Sequence, residues 1–220
     1  MSTPPMRRDA RRNLERLTAA AGQVFRERGL DAPLEEIARV AGVSAGTLYN
    51  RFGGRDALID AVMPDLLEAE IHDALARAEA AADPWDGFVL YVTLLGELQT
   101  TNPALGDAVS RRFPDAKRLT ELCDAQMNEA AGIIDRAHQA GVLRPDFVMT
   151  DLPYLLWSIA NTARATAGIA PDAWRRALAF TLDGLHTAPT NTELPTPPLT
   201  TEQVHAAMIG LSDRRPKKTT

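Results

Sequence analysis

Apolar side chains recur at helical spacing along most of the chain, and the segment from residue 34 to residue 58 shows this most clearly. One apolar stripe, at positions i, i+3, i+4 and i+7, consists of Leu34, Ile37, Ala38 and Ala41. Gly42 follows directly, and glycine readily takes the positive φ that ends a helix. These positions predict a short helix with one side to bury, followed by a tight turn.

A second short helix is predicted from Ala45 to Phe52. Ser44 is placed to cap it by accepting backbone N–H bonds, and Val43 to fill the angle between the two helices. Leu48 and Phe52 can face inward, which leaves small, hydroxyl, amide and guanidinium side chains exposed. Such groups at one helix end suit a DNA groove and its phosphates. The two helices and their turn have the layout of a helix-turn-helix DNA reader.

The same segment resembles the N-terminal domain of the TetR family of transcriptional regulators. The matching residues are Gly42-Val43-Ser44, then Gly46-Thr47-Leu48-Tyr49, Phe52, Arg55 and Leu58. The motif covers about the first 60 residues, and beyond them the resemblance is one of length and helical layout. Arg51 stands where His or Tyr is common, and Arg55 replaces a frequent Lys. Positive charge is therefore kept, while the base preference stays open.

A longer helix, from about Asp9 to Arg28, precedes the motif and has a basic start. Five arginines between residues 7 and 16 stand against two carboxylates, a local charge of +3. An arm of that sign can neutralise phosphates or enter a minor groove, and a solvated helix start is the alternative. The candidate DNA-binding residues are Arg7, Arg8, Arg11, Arg12, Ser44, Ala45, Gly46, Thr47, Tyr49, Asn50, Arg51 and Arg55.

The net charge of −5 hides an uneven distribution along the chain. Residues 1–60 hold 10 Lys and Arg against 8 Asp and Glu, a net +2, whereas residues 61–220 hold 14 against 21, a net −7. DNA binding depends on the local potential rather than on the total charge. The acidic balance therefore does not exclude a partner such as double-stranded DNA.

Several other classes of protein are disfavoured by the sequence. No apolar run reaches about 18 residues, which predicts no membrane span, and the N-terminal residues lack the apolar stretch of a secretory signal. Cys123 is the only cysteine, which fits a reducing cytoplasm, and its apolar neighbours favour a buried structural thiol over a redox sensor. The four histidines are isolated, and no catalytic or phosphate-binding motif is present. We expect no enzyme activity, no metal and no cofactor.

From Arg55 onward the pattern predicts helix after helix and no strand, so the expected fold class is all-α. Breaks at Pro and Gly place helices at about 55–82, 84–101, 103–112, 115–140, 150–168 and 171–187. Pro64 lies inside the first of these and should kink that helix or reset its start, as a regulatory hinge or as a structural bend.

Three regions are predicted along the chain. Residues 1–60 form a three-helix helix-turn-helix DNA-binding domain with a basic N-terminal arm, and residues 61–187 a larger helical ligand-binding and dimerisation domain. Residues 188–220 form a linker rich in Pro and Thr and a C-terminal tail. Within the tail, residues 201–211 have the pattern of a short amphipathic helix, and a basic string follows them.

The segments 84–101 and 115–140 carry more apolar residues than one packing stripe requires, which is typical of a helix that is central or lines a cavity. The resemblance implies that such helices enclose a pocket for a small-molecule effector. Polar groups among apolar neighbours would orient this ligand. The candidates are Tyr91, Leu95, Met127 and Trp157 as walls and Gln99, Asn161 and Arg164 as polar contacts, each with the alternative of a core or solvated residue.

Residues 150–187 give two further helices that are rich in small side chains, which let helices approach closely. The resemblance implies that these helices pair with their copies in a four-helix dimer interface. A homodimer also suits DNA reading, because two recognition helices about 34–36 Å apart match successive grooves of a palindromic operator.

The sequence thus predicts a cytoplasmic, homodimeric transcriptional regulator, most simply a repressor that leaves its operator when a small molecule binds. Two alternatives stay open: a helical protein-interaction module, and a small-molecule-binding protein without a DNA role.

Overall fold

The computed structural model describes residues 5–212, with side chains from residue 12 onward. In this range the backbone is helical with no strand, apart from one isolated antiparallel bridge between Leu143 and His186, and the all-α prediction is confirmed. The helices are α1 Pro5–Arg28, α2 Leu34–Ala41, α3 Ala45–Phe52, α4 Arg55–Glu79, α5 Pro84–Thr101, α6 Pro103–Ser110, α7 Lys117–Gln139, α8 Leu152–Thr166, α9 Ala173–Leu185 and α10 Thr201–Ser212.

The helix boundaries follow the local signals in the sequence. Asp83 caps α5 by accepting the backbone N–H groups of Trp85 and Asp86, at 2.8 and 3.0 Å. Asn102 caps α6 in the same way, at 3.4 Å from the N–H of Leu105. A proline occupies the first helical position in both helices, where the missing N–H has no helical partner to lose.

The first three helices pack around a small apolar core. Leu17 and Phe25 of α1, Ile37 of α2 and Leu48 of α3 belong to one buried apolar cluster, and each is at most 1% exposed. Because α1 also contacts α4 and α6, this unit is joined to the rest of the chain by packing as well as by α4 itself.

Helix α4 runs without interruption through Pro64, so of the two expectations for this proline, a kink or a restart of the helix, the restart is wrong. Proline has no N–H to give to the carbonyl of Asp60, one turn earlier. Arg118 of α7 reaches this carbonyl instead, with its Nη1 at 3.5 Å, and Pro64 itself is buried. The neighbouring helix thus offsets the bond that the proline removes.

The larger part of the molecule is built on α4, α5, α7 and α8, with α9 packed along α8. Trp174 of α9 is 1% exposed and rests on Gly96 of α5, where an added Cβ would meet the indole at 2.6 Å. This close approach explains why the middle of α5 carries a glycine. No described helix is long and apolar enough to cross a membrane.

The segment after α9 returns to the helical body. Arg144 donates from Nη2 to the carbonyl of Thr192 at 2.8 Å, which ties down the extended linker. The predicted short helix is present as α10, and its Val204 and Met208 are at most 2% exposed. The tail as far as residue 212 is therefore packed on the body, while the basic string of Arg214, Arg215, Lys217 and Lys218 lies outside the described residues.

Candidate functional site

The turn between α2 and α3 has the geometry expected of a helix-turn-helix. Gly42 ends α2 with φ at 68°, and the N–H of Val43 bonds to the carbonyl of Ala38 at 3.0 Å. Ser44 caps α3, since its Oγ accepts the N–H of Thr47 at 3.1 Å. The predicted cap and turn are both confirmed.

Arg16 of α1 forms a hydrogen bond to the backbone at this turn. Its Nη2 donates to the carbonyl of Ala41 at 2.7 Å, which satisfies a backbone group left free at the end of α2. A Cβ on Gly42 would lie 2.7 Å from the same nitrogen. Gly42 is thus favoured by its positive φ, and Arg16 approaches it closely, a contact that no local sequence pattern signals.

Helix α3 presents one face to solvent and the other to the core. Leu48 is fully buried, and Ala45 and Phe52 are partly buried against the core. Ser44, which caps the helix, is exposed. The other candidates on this helix are exposed as well, namely Gly46, Thr47, Tyr49, Asn50 and Arg51. The structure therefore brings these predicted DNA-binding residues together on one surface.

The remaining DNA-binding candidates are placed differently. Arg12 is exposed on α1, whereas the side chains of Arg7, Arg8 and Arg11 lie outside the described residues. Arg55 is turned inward, and its Nη1 donates to the carbonyls of Leu30 and Ala32 at 2.6 and 2.7 Å. The geometry gives Arg55 a role in holding the loop between α1 and α2, and the expected phosphate contact stays a prediction.

A cavity of about 40 Å³ lies inside the larger helical unit, lined by α4 to α8 and by α10. Three of the predicted wall residues, Tyr91, Leu95 and Met127, line it. The other lining residues are Ile71, Val109, Arg112, Cys123, Gln126, Leu152, Pro153, Leu156 and Met208.

Four predicted ligand contacts do not line this cavity. Trp157, Asn161 and Arg164 follow one another at i, i+4 and i+7, so they share one face of α8, and none of the three lines the cavity. Trp157 donates to the carbonyl of Ser110 at 3.0 Å, and Asn161 and Arg164 are exposed. Gln99 lies at the contact of α5 with Gly106 of α6, and its amide atoms are buried without a partner.

Two polar residues of the cavity were missed by the sequence reasoning. Arg112, directly after α6, is 5% exposed, and Gln126 of α7 is 6% exposed. Gln126 lies on the stripe of α7 that also carries Cys123 and Ala130, and a polar residue on an apolar stripe was the signal that could have revealed it. Arg112 lies outside any helix and had no such signal.

The ionisable neighbours of Arg112 and Gln126 in the cavity are held neutral. Burial raises the pKa of the Cys123 thiol, and burial together with the charge of Glu129 raises the pKa of the Tyr91 phenol. Beside these neutral groups, Arg112 places its guanidinium in the cavity wall.

Comparison with known proteins identifies the family. The model described as "Bacterial regulatory proteins, tetR family" matches residues 17–62, and the model described as "Transcriptional regulator SbtR-like, C-terminal domain" matches residues 83–187. The chain belongs to the TetR family of transcriptional regulators. This family and the relatives that match the chain are transcriptional regulators rather than enzymes.

Curated TetR relatives align with part of the chain. It is 29% identical over 133 residues to the HTH-type transcriptional regulator TtgR of Pseudomonas putida, and this covers 58% of the chain and 61% of TtgR. It is 40% identical over 75 residues to the HTH-type transcriptional regulator BetI of Stenotrophomonas maltophilia, covering 33% and 38%. The chain thus spans about three fifths of the first of these relatives and less of the second.

Solved structures show the same fold. The TetR family regulator PfmR from Thermus thermophilus is 20% identical, with a TM-score of 0.55 over 78% of this chain and 100% of that one. The regulator FadR from Bacillus subtilis, in complex with stearoyl-CoA, is 14% identical, with a TM-score of 0.57 over 82% and 100%. At these identities the likeness establishes the fold alone.

Proposed function

We propose that this protein is a homodimeric, cytoplasmic repressor that occupies a palindromic operator and leaves it when a small molecule binds in the cavity between its helices. The observation that carries the proposal is the exposed face of α3, held by a serine cap and a glycine turn on a unit packed against α6. Such a face is the part of a helix-turn-helix that enters the major groove.

The residues of this face have different roles in the proposal. Thr47 and Asn50, whose side chains can hydrogen-bond to base edges, read the sequence, while Tyr49 and Arg51 contact phosphates. Gly46 keeps the backbone near the N-terminus of α3 open to close approach, because nothing but the Ser44 hydroxyl lies within 4 Å of an added Cβ.

The dimer is proposed to form through the outer faces of α8 and α9. Tyr154 on α8 is 44% exposed and Phe180 on α9 is 64% exposed, both high for large apolar side chains. Trp157 lies next to Tyr154 on the same face of α8, with their rings 5.8 Å apart. A second copy placed on this face would bury these rings.

Release from the operator is proposed to be a shift between two conformations. A ligand favours the released state only to the extent that it binds that state more tightly. Helix α4 belongs to both units, and α6 touches α1 while leading into Arg112 at the cavity. Both helices are therefore routes by which ligand binding can change the spacing of the two recognition helices.

Selection of bound DNA from a random duplex pool at two salt concentrations tests the proposal. We expect enrichment of an inverted repeat that persists at the higher salt. Thr47→Ala and Asn50→Ala should change the preferred bases, whereas Asn128→Ala, an exposed amide on α7, should not. If no repeat is enriched, or if salt abolishes binding without any consensus, the operator-binding proposal is wrong.

A further inference from the structure

Arg112 is a buried cation with an incomplete set of partners. Its Nη2 lies 3.7 Å from Oδ1 of Asp124, close to the limit of an ion pair, and this oxygen also lies 3.2 Å from Nε2 of His205. Its Nη2 also donates weakly to Sδ of Met127 at 3.8 Å, its Nη1 donates to the carbonyl of Arg111 at 3.1 Å, and its Nε is buried without any acceptor. Because a buried charge is costly unless it is paired, the site favours a further anionic acceptor.

Gln126 stands on the same cavity wall with a second unsatisfied group. Its Oε1 is buried and accepts no hydrogen bond. The two ends of a glutamine amide exchange places by rotation of the side chain, so Gln126 can offer either an N–H or a carbonyl to a ligand. A polar head group bound at Arg112 would therefore have a second anchor.

Apart from the neutral phenol of Tyr91 and the neutral thiol of Cys123, the rest of the cavity wall is apolar. Ile71 comes from α4, Leu95 from α5, and Leu152 and Leu156 from α8. An apolar wall with one cation and one amide at the same site matches a ligand with an apolar body and one anionic head. We propose that the effector of this regulator is an amphipathic organic anion, with Arg112 as its counter-ion and Gln126 as a hydrogen-bond partner. This inference rests on the proposed function.

The cavity must enlarge to take such a ligand. Its volume of about 40 Å³ suits a few waters, whereas pockets for small organic ligands measure roughly 300–1,000 Å³. Helix α10 is the element best placed to move. Only Val204 and Met208 of this helix are buried, and the helix is joined to the rest of the chain by the extended linker that precedes it.

Helix α10 is also bonded directly to the backbone of the proposed counter-ion. The N–H of Arg112 donates to the carbonyl of Met208 at 3.3 Å, and Oγ of Ser212 donates to the carbonyl of Arg112 at 2.7 Å. A ligand that draws the Arg112 guanidinium into the cavity thus acts on the residue that holds α10 in place. Displacement of Met208 by the ligand body would provide the missing volume.

Three probes with one apolar body and different head groups test the assignment: 4-phenylbutyrate, 4-phenylbutanol and 4-phenylbutylamine. Calorimetric titration of the full chain should show that the carboxylate binds at least about tenfold more tightly than the alcohol, because a charge-assisted hydrogen bond is lost in the latter. The amine should bind most weakly. Equal affinities of the carboxylate and the alcohol, tighter binding of the amine, or no saturable binding of the carboxylate at millimolar concentration would overturn the inference.

Variants locate the binding to Arg112. Arg112→Gln should remove the preference for the carboxylate and leave the affinity for the alcohol nearly unchanged, and Arg112→Lys should retain part of the preference. The matched control is Arg77→Gln on α4, whose charge is exposed and paired with Asp73. If Arg112→Gln does not fold, the ranking of the three probes on the unaltered protein still decides. A preference that persists in a folded Arg112→Gln variant contradicts the assignment.

Operator binding by the ligand-free protein separates this inference from the function on which it rests. A protein that binds an inverted repeat but shows no preference for the carboxylate keeps the proposed function and loses the inference. If the protein prefers the carboxylate through Arg112 but binds no DNA sequence selectively, the inference about the ligand is kept and the proposed function is lost.

Discussion

The backbone N–H of Leu30 donates a hydrogen bond to the carboxylate of Asp107 at 2.8 Å, across 77 residues of sequence. Asp107 also pairs with Arg111 at 3.2 Å, and Arg111 pairs in turn with Asp31 at 2.9 Å. These contacts fasten the loop between α1 and α2 to α6. Since α6 is followed directly by Arg111 and Arg112, a change at the cavity has a short path to the DNA-reading helices.

Replacing Asp107 by Ala should weaken this connection between the two units. We expect the free energy of unfolding to fall by about 1.5–3 kcal/mol, the value of a hydrogen bond to a charged group. The operator affinity of the variant should also become less sensitive to the effector. Chemical denaturation and DNA titration with and without ligand measure the two effects. The control is Asp73→Ala, which breaks an exposed pair on α4 worth at most about 1 kcal/mol, and an equal loss in both variants would contradict the prediction.

Gly29 provides a second test of the same contact. Its φ is 78°, and a Cβ there would lie 2.9 Å from Oδ2 of Asp107. Gly53 has a φ of 79° with nothing within 4 Å of an added Cβ. Gly53→Ala should therefore lose only the conformational term of about 1–2 kcal/mol, and Gly29→Ala should lose at least about 1 kcal/mol more through crowding. Equal losses, measured by urea denaturation, would show that the loop adjusts without cost.

Local spacing explains why so much of the DNA-reading unit was predictable. Gly42 is placed where the end of α2 needs a positive φ, and Ser44 is placed where its side chain can accept the N–H of Thr47, three residues later. Both requirements involve only residues that are close together in the sequence. The inward turn of Arg55 was not predictable, because its acceptors at Leu30 and Ala32 come from a loop more than twenty residues away.

The cavity was predictable only in part, for a related reason. A helical period shows which residues share a face, but not whether that face packs on another helix, lines the cavity or contacts solvent. Trp157, Asn161 and Arg164 share a face just as the cavity residues of α5 and α7 do, and only the packing of α8 decides that this face does not line the cavity. The contact of Arg112 with Met208 joins residues that are far apart in the sequence, so no local pattern predicts it.

Gly46→Ala should separate stability from DNA binding. Space is open around Gly46, and alanine is favoured over glycine inside a helix by roughly 0.5–1 kcal/mol, so the variant should be at least as stable as the original protein. The added methyl group stands on the exposed face of α3 and should weaken operator binding by about 1–3 kcal/mol, the scale of one lost contact. Gly132→Ala in α7, where nothing lies within 4 Å, should gain stability and leave DNA binding unchanged. Unaltered DNA affinity in Gly46→Ala would remove this residue from the proposed surface.

The ion pair of Arg144 with Asp146 should make the anchored linker sensitive to acid. Hydrogen bonds from Arg144 hold the pKa of Asp146 below its usual value, so the pair stabilises the fold above about pH 4 and this contribution is lost as the pH falls through the lowered pKa. We expect Asp146→Asn to be less stable than the original protein at neutral pH, with the difference shrinking below about pH 4. Denaturation curves across this range measure it. Asp183→Asn, an exposed carboxylate on α9, is the charge-matched control, and a difference for Asp146→Asn that stays constant with pH would refute the prediction.

Met208→Ala should loosen the cover of the cavity and improve ligand binding at the same time. The side chain is 2% exposed and lines the cavity, so its truncation should lower the free energy of unfolding by about 2–5 kcal/mol. The space it vacates should strengthen the binding of 4-phenylbutyrate and 4-phenylbutanol by similar factors, because the added room meets the apolar body and not the head group. Ile209→Ala, a neighbouring truncation on α10 outside the cavity, should not change either affinity. Calorimetry on both variants decides: weaker binding of the two probes to Met208→Ala would mean that Met208 is part of the ligand's wall rather than the residue that it displaces.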